Sequence, residues 1–138
     1  MQAERFLIDT SVWLDVLPPG RGSDSLRRRV DALLAADVVA TIGMVRLELL
    51  GGTRSQKEWL RLGQLLSALH QLEIPEAQWD EAARLGFQLR RQGVVVPFTD
   101  LLITSVAILN GAVLVHRDRH FDLMAPHLRL RVESYVIE

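Results

Sequence analysis

A three-layer α/β/α sandwich around a mostly parallel sheet is the fold class that this sequence predicts. Three observations carry the prediction. Short apolar runs alternate with helical patterns along the whole chain. No Asn-Gly-type hairpin signal joins one run to the next, so antiparallel pairs are not indicated. The 138 residues, 49% of them hydrophobic and 24% charged, are enough for one real core and argue against disorder. Residues 1–138 are therefore expected to form a single domain.

Phe6-Leu7-Ile8 reads as a short buried strand that stops at Asp9-Thr10-Ser11. A helical pattern follows through Val12, Trp13, Val16 and Leu17. The stretch PPGRGSDS, residues 18–25, breaks the chain, and a helix then runs to about Ala35 with Asp24 as its N-cap. VVATI, residues 38–42, is the second strand. MVRLELL is a helix ended by Gly51-Gly52. Ser55 and Glu58 have capping-box spacing and open a helix that reaches about Leu69. HQLEI is a further short strand, and Pro75 starts a long helix closed by Gln92-Gly93. VVVP is extended. Thr99 caps a helix containing Leu102, Ile103, Val106 and Ala107, which Asn110-Gly111 ends. AVLVH is another buried strand, a short helical turn is expected near Phe121–Leu123, and LRLRVESYVI is the last β segment.

Several classes are excluded early. There is no cysteine, which removes disulfides and thiolate zinc sites and points to a reducing compartment. The beginning of the chain, MQAERFLIDT, has a three-residue apolar run before Asp9, far short of a signal peptide or membrane span. A soluble, cytoplasmic protein with no membrane contact is the expectation. The net charge of −1 does not advertise a polyanion partner. Of 16 basic residues only Lys57 is lysine. Arginine suits bidentate phosphate contact, and a simple bias towards arginine explains the count equally well.

In open α/β sheets, ligands sit beyond the carboxyl ends of the strands. Asp9 directly follows one apolar strand, and Asp118 follows another after two residues. Glu48 lies in an apolar helix just after the second strand, with Leu47, Leu49 and Leu50 leaving it little solvated side. Asp100 sits in the first turn of the helix after Pro97. Each acid has a bland reading: Asp9 as a helix cap, Asp100 as a dipole partner, Asp118 as a turn residue, Glu48 on a wet face. Together they are more informative. Two carboxylates about 4 Å apart repel by roughly 4 kcal/mol at an effective dielectric of about 20. A site that gathers several therefore calls for a cation. Carboxylate ligation suits Mg²⁺ or Mn²⁺, and the matching chemistry is metal-assisted phosphodiester hydrolysis without a protein nucleophile.

The segments FLIDTSVWLD, VRLELLGG, VPFTDLLITSVAI and VLVHRDRHFD resemble, in order and spacing, those of a PIN domain. They are most similar to the VapC toxins of bacterial and archaeal toxin–antitoxin pairs, and the likeness covers nearly the whole chain. The resemblance implies a Mg²⁺- or Mn²⁺-dependent endoribonuclease, usually dimeric, held inactive by a VapB-type antitoxin. It assigns Asp9, Glu48, Asp100 and Asp118 as the four metal-binding and catalytic acids. It matches Thr10 and Ser11 to hydroxyls that orient carboxylates. Two positions depart from the pattern. Many relatives have Thr or Ser where this chain has His116, which bears on the bonding around Asp118, and Asp where it has His120.

Other readings stay open. His116 and His120, at i and i+4, invite a histidine zinc site, although the segment follows a strand and turns. A receiver or phosphatase domain also carries acids at strand ends, but Asp9 lacks an adjacent second acid and Lys57 is poorly placed as a phosphate clamp. The fold alone, acting as a protein-binding module, is the third. For RNA contact, Arg46, Arg117 and Arg119 flank the acids, against the plain alternative of solvated or locally paired arginines. DSLRRRVDALLAA and WLRLGQLLSALH read either as core helices or as walls of a groove for an antitoxin helix. Trp13 and Trp59 read either as interface anchors or as buried rings.

Overall fold

Leu7 and Ile8 are successive residues of one strand, so they face opposite sides of the sheet. Both are fully buried. Val39-Ala40-Thr41 and Leu114-Val115-His116 are buried in the same unbroken way. Strands of this kind need cover on both faces. The computed structural model, which describes residues 4–18 and 23–137, has that cover.

The described elements run β1 (Phe6–Ile8), α1 (Thr10–Val16), α2 (Asp24–Ala35), β2 (Val39–Thr41), α3 (Gly43–Gly51), α4 (Gln56–Ser67) and β3 (His70–Gln71). They continue with α5 (Ala77–Arg91), α6 (Phe98–Asn110), β4 (Val113–His116), α7 (Arg119–Met124), a 3₁₀ turn (Ala125–His127) and β5 (Arg131–Ser134). The sheet order is β3-β2-β1-β4-β5, and every pairing is parallel. From β1 the chain builds outward through β2 and β3. It then returns to lay β4 on the other side of β1, with Phe6 opposite Val113 and Ile8 opposite Val115. The reversal of strand order makes the β1/β4 boundary the topological switch point, where ligands of such sheets bind.

The core is centred on Trp13, Phe121, Leu7, Ile8, Ile103, Leu114 and Met124, each at most 1% exposed. Helix α6 runs through it, with every residue from Asp100 to Ala107 buried. Of its polar members Ser105 is satisfied locally, its hydroxyl donating to the Leu102 carbonyl at 2.9 Å. On the sheet's outer edge the Arg29 guanidinium meets Glu133 through two bonds of 2.9 and 2.8 Å and lies over the Phe6 ring at 5.4 Å. That fork joins α2 to β5.

Local signals fared unevenly. Ser55 Oγ accepts the Glu58 N–H at 3.1 Å, as expected, but the Glu58 carboxylate reaches back to the Arg54 N–H at 3.2 Å rather than to that of Ser55. Ser23, not Asp24, caps α2; its hydroxyl accepts from Leu26 N–H, and Asp24 is the first helical residue. Thr99 is not a cap either, because α6 already begins at Phe98 behind Pro97. HQLEI contributes only His70–Gln71 to the sheet, and VVVP pairs with nothing in it. Residues 19–22 of the expected break lie outside the described residues.

Gly111 ends α6 in the left-handed region at φ 60°, with open space where a Cβ would stand. Substitution there is a backbone effect alone. Gly111→Ala is expected to lower the unfolding free energy by about 1 kcal/mol, measured by urea denaturation; an unchanged midpoint would contradict it.

Candidate metal centre

The centre forms where β1 and β4 end side by side. Asp9 follows β1 with its N–H bonded to the Val115 carbonyl at 2.9 Å. Its side chain caps α1: Oδ2 accepts the Ser11 N–H at 3.0 Å and the Ser11 hydroxyl at 2.6 Å. The same hydroxyl accepts the Arg117 N–H at 3.0 Å. Ser11 thus ties the exit of β1 to the exit of β4. Asp118 opens α7 in the same manner, its Oδ1 accepting the His120 N–H at 3.0 Å. Asp100 reaches the rim from the first turn of α6 and is 8% exposed.

Ligand atoms of Asp100, Asp118 and His120 lie within 4.8 Å of one another. His120 Nδ1 is 3.1 Å from Asp100 Oδ2 and 3.1 Å from Asp118 Oδ1. Asp9 stands beside this group, close enough for its charge and that of Asp118 to push on Asp100. Glu48 is held apart from the three. It is exposed on α3 and accepts the Thr10 hydroxyl at 2.9 Å. The expectation that its leucine neighbours leave it no wet side fails, because Leu47 is itself 65% exposed on an uncovered face. Thr10 and Ser11 therefore each bond a different acid of the expected four.

His116 is fully buried. Its Nδ1 accepts the Asp118 N–H at 3.2 Å, and its ring packs on Phe121 at 5.1 Å. Nε2 comes within 3.1 Å of Asp122 Oδ1, off the angle of a hydrogen bond. Burial pushes the His116 pKa down, which keeps the ring neutral. The two histidines do not converge, so the pair expected of a histidine zinc site is not formed. His120 is the residue that sequence reasoning undervalued, as a lost acid. The signal was its spacing from Asp118: an aspartate N-cap folds back onto the amide two residues on, which carries that residue's side chain to the same rim.

Of the three arginines, Arg117 pairs with Asp15 and Arg46 with Gln71, while Arg119 is exposed. Arg117 and Arg119 line a shallow depression with Ser11, Asp118, Val136 and Ile137. Arg46 is not among its lining residues.

The electrostatics are those of a site short of positive charge. Burial raises the Asp9 pKa, against the two Ser11 bonds that lower it. Asp100 is pushed up to about 6, first by burial and then by repulsion from Asp118 and Asp9, with His120 opposing. Two carboxylates and an imidazole nitrogen, converging and partly buried, fit a small divalent cation.

A model of the PIN domain matches residues 6–125, and the chain belongs to that family. Within it the chain falls among the VapC proteins. It is 31% identical to VapC ribonuclease Mb1587 of Mycobacterium bovis over 134 residues, covering 94% of this chain and 98% of that one. It is 33% identical to ribonuclease VapC51 of Mycobacterium tuberculosis over 126 residues, covering 89% and 87%. The fold is shared with VapBC2 of Rickettsia felis, solved bound to a DNA fragment from its promoter: TM-score 0.77, 21% identity, 94% and 98% covered.

A carboxyl whose pKa is raised by folding stabilises the protein while protonated and loses that contribution as pH rises from 3.8 through about 6. In EDTA, Asp100→Asn is therefore expected to gain on the wild type between pH 4 and pH 7. The gain should be on the order of 1–3 kcal/mol, since each pKa unit is worth about 1.4. Urea titrations across that range would show a constant difference if Asp100 carried no such penalty.

Proposed function

We propose that this protein is a Mg²⁺- or Mn²⁺-dependent endoribonuclease toxin, acting in the cytoplasm and restrained by a VapB-type antitoxin. The observation that carries the reading is the meeting of Asp9, Asp100 and Asp118 at the β1/β4 switch point, where repulsion and burial already drive Asp100 to about 6. The ribonuclease names of the mycobacterial relatives support the reaction class.

Asp100 and Asp118 would hold the cation, with Asp9 beside them and Glu48 completing the set from α3. A bound Mg²⁺ or Mn²⁺ supplies Lewis-acid stabilisation of phosphoryl charge and makes an attacking water more acidic. The chain does the positioning. Ser11 fixes the Asp9 carboxylate and the Arg117 backbone at once, Thr10 steers Glu48, and His116 holds the Asp118 amide. Arg117 and Arg119 border the depression beside Asp118 and would receive phosphates of an RNA strand; Arg46 is a more distant candidate for the same role.

Two apolar faces support the partners. Leu14 and Leu17 at the end of α1, Leu47 of α3, and Trp59 and Leu60 of α4 are 37–65% exposed, a surface suited to an amphipathic antitoxin helix. Trp59 is the anchor on it; Trp13, 1% exposed, belongs to the core. Trp79, Phe87, Val95 and Phe98 line a second groove between α5 and α6, suited to a homodimer contact. Among the described residues no helix is long and apolar enough to cross a membrane.

Asp9→Ala and Asp100→Ala are expected to abolish Mg²⁺/Mn²⁺-dependent RNA cleavage with the circular dichroism spectrum unchanged. Ser11→Ala should reduce it roughly 10- to 100-fold, the usual scale for a partner that orients a ligand. Undiminished cleavage by either acid variant would refute the site. A purified chain with no divalent-dependent cleavage and no toxicity on expression would instead favour a PIN-fold interaction module. Sequencing RNA 5′ ends after a short expression pulse would identify the substrate.

A further inference from the structure

The imidazole of His120 is placed between two carboxylates, with one ring nitrogen facing both. Nδ1 is 3.1 Å from Asp100 Oδ2 and 3.1 Å from Asp118 Oδ1. One ring nitrogen carries one proton, so it serves both oxygens only by sharing that proton in a three-centre bond. A cation at a common point engages all three atoms. The two separations at Nδ1 agree with this, because adjacent ligands of an octahedral ion at bond lengths of about 2.1 Å lie about 3.0 Å apart, and all three ligand atoms lie within 4.8 Å of one another. The ring is also held in place beforehand. Its own backbone N–H is fixed on Asp118 Oδ1 at 3.0 Å, and the next residue, Phe121, is fully buried.

We propose that His120 Nδ1 is a direct metal ligand, and that it makes this a mixed nitrogen–oxygen site preferring Mn²⁺ and similar transition ions over Mg²⁺. Mg²⁺ favours oxygen donors and retains its waters, whereas imidazole is a good ligand for first-row transition ions. The inference rests on the carboxylate metal site proposed above and adds a donor that an acid at position 120 would not supply. His116, the other histidine of the segment, cannot substitute, since its Nδ1 is committed to the Asp118 amide behind the strand.

The test uses the full chain stripped of metal and loaded with Mn²⁺ alone, read by the free-ion electron paramagnetic resonance signal and by electron spin echo modulation. The expected result is saturable binding lost in Asp100→Asn, and a directly coordinated ¹⁴N coupling in the wild type. Labelling the histidines with ¹⁵N should convert that coupling. In His120→Asp the nitrogen coupling should vanish, and the ratio of Mn²⁺ to Mg²⁺ affinity should fall at least about tenfold, the scale on which even outer partners of a ligand act. Binding that needs Asp100 but shows no nitrogen coupling in the wild type would overturn the role of His120 and leave the carboxylate site standing. So would a coupling that persists in His120→Asp. Absence of saturable Mn²⁺ binding would overturn both.

Discussion

Because β1 pairs in parallel with β2 on one side and β4 on the other, the chain leaves all three strands on the same rim. That constraint decides where charge can go. Inside the sheet every β1 and β4 side chain from Leu7 to Ile8 and from Leu114 to His116 is buried, and an ionised carboxylate there would be prohibitively costly. The first position at which β1 can carry an acid is Asp9, and β4 offers its own two residues past the strand. Parallel register then brings the two exits together, with Asp9 bonded through its backbone to Val115. The antiparallel alternative would have sent them to opposite ends of the sheet.

Gathering acids there opposes folding, and the structure answers with local bonds rather than with arginines. Asp9 and Asp118 are each the N-cap of a short helix, α1 and α7. A cap places the carboxylate against backbone N–H groups and the positive end of the helix dipole, which favours the charged form. Capping and the proposed ligand binding are therefore compatible roles for these residues and not rival ones. The cap fixes the plane of the carboxylate before any ligand arrives. Asp100 shares only the dipole, from the first turn of α6. It caps nothing, and its pKa is raised well above that of an ordinary aspartate. The arginines nearest in sequence do little to relieve it: Arg117 spends its charge on Asp15.

The layer architecture was legible because it rests on long-range hydrophobic patterning. Runs such as Val113-Leu114-Val115, short, rich in β-branched residues and preceded by a Gly turn, read as strands covered on both faces. Short elements were less legible. HQLEI has the composition of a strand, but only His70 and Gln71 pair in register with β2, with one further bond from the Leu72 N–H to the Thr41 carbonyl. Its length was set by where its neighbour ends, which no local signal encodes. Cap positions slipped by a residue or more, to Ser23 and Pro97, where two adjacent polar residues, or a proline, compete for the same role. In the site, Asp9, Asp100 and Asp118 were readable from strand ends and the family likeness. Exposure of Glu48 was not, since it depends on whether another element covers Leu47. The position of His120 depends on the cap geometry of Asp118, a three-dimensional consequence of a residue already singled out for another reason.

The exposed apolar faces are not independent of the acids. Leu47 precedes Glu48 directly, and Phe98, 81% exposed, stands two residues before Asp100. Consecutive Cα atoms are about 3.8 Å apart, so whatever covers either face comes within a short reach of the rim. Burial of Leu47 beneath a partner helix would carry Glu48 and its Thr10 bond out of solvent with it. Burial of Phe98 would deepen the surroundings of Asp100, the acid whose charge is already least favoured. A partner on one of these surfaces would thus act on the electrostatics of the centre by excluding water, without inserting a side chain into it. In a chain with a net charge of −1 and with Arg117 paired to Asp15, the local dielectric and the cation would be the principal means left for tuning how strongly the proposed centre held a phosphate.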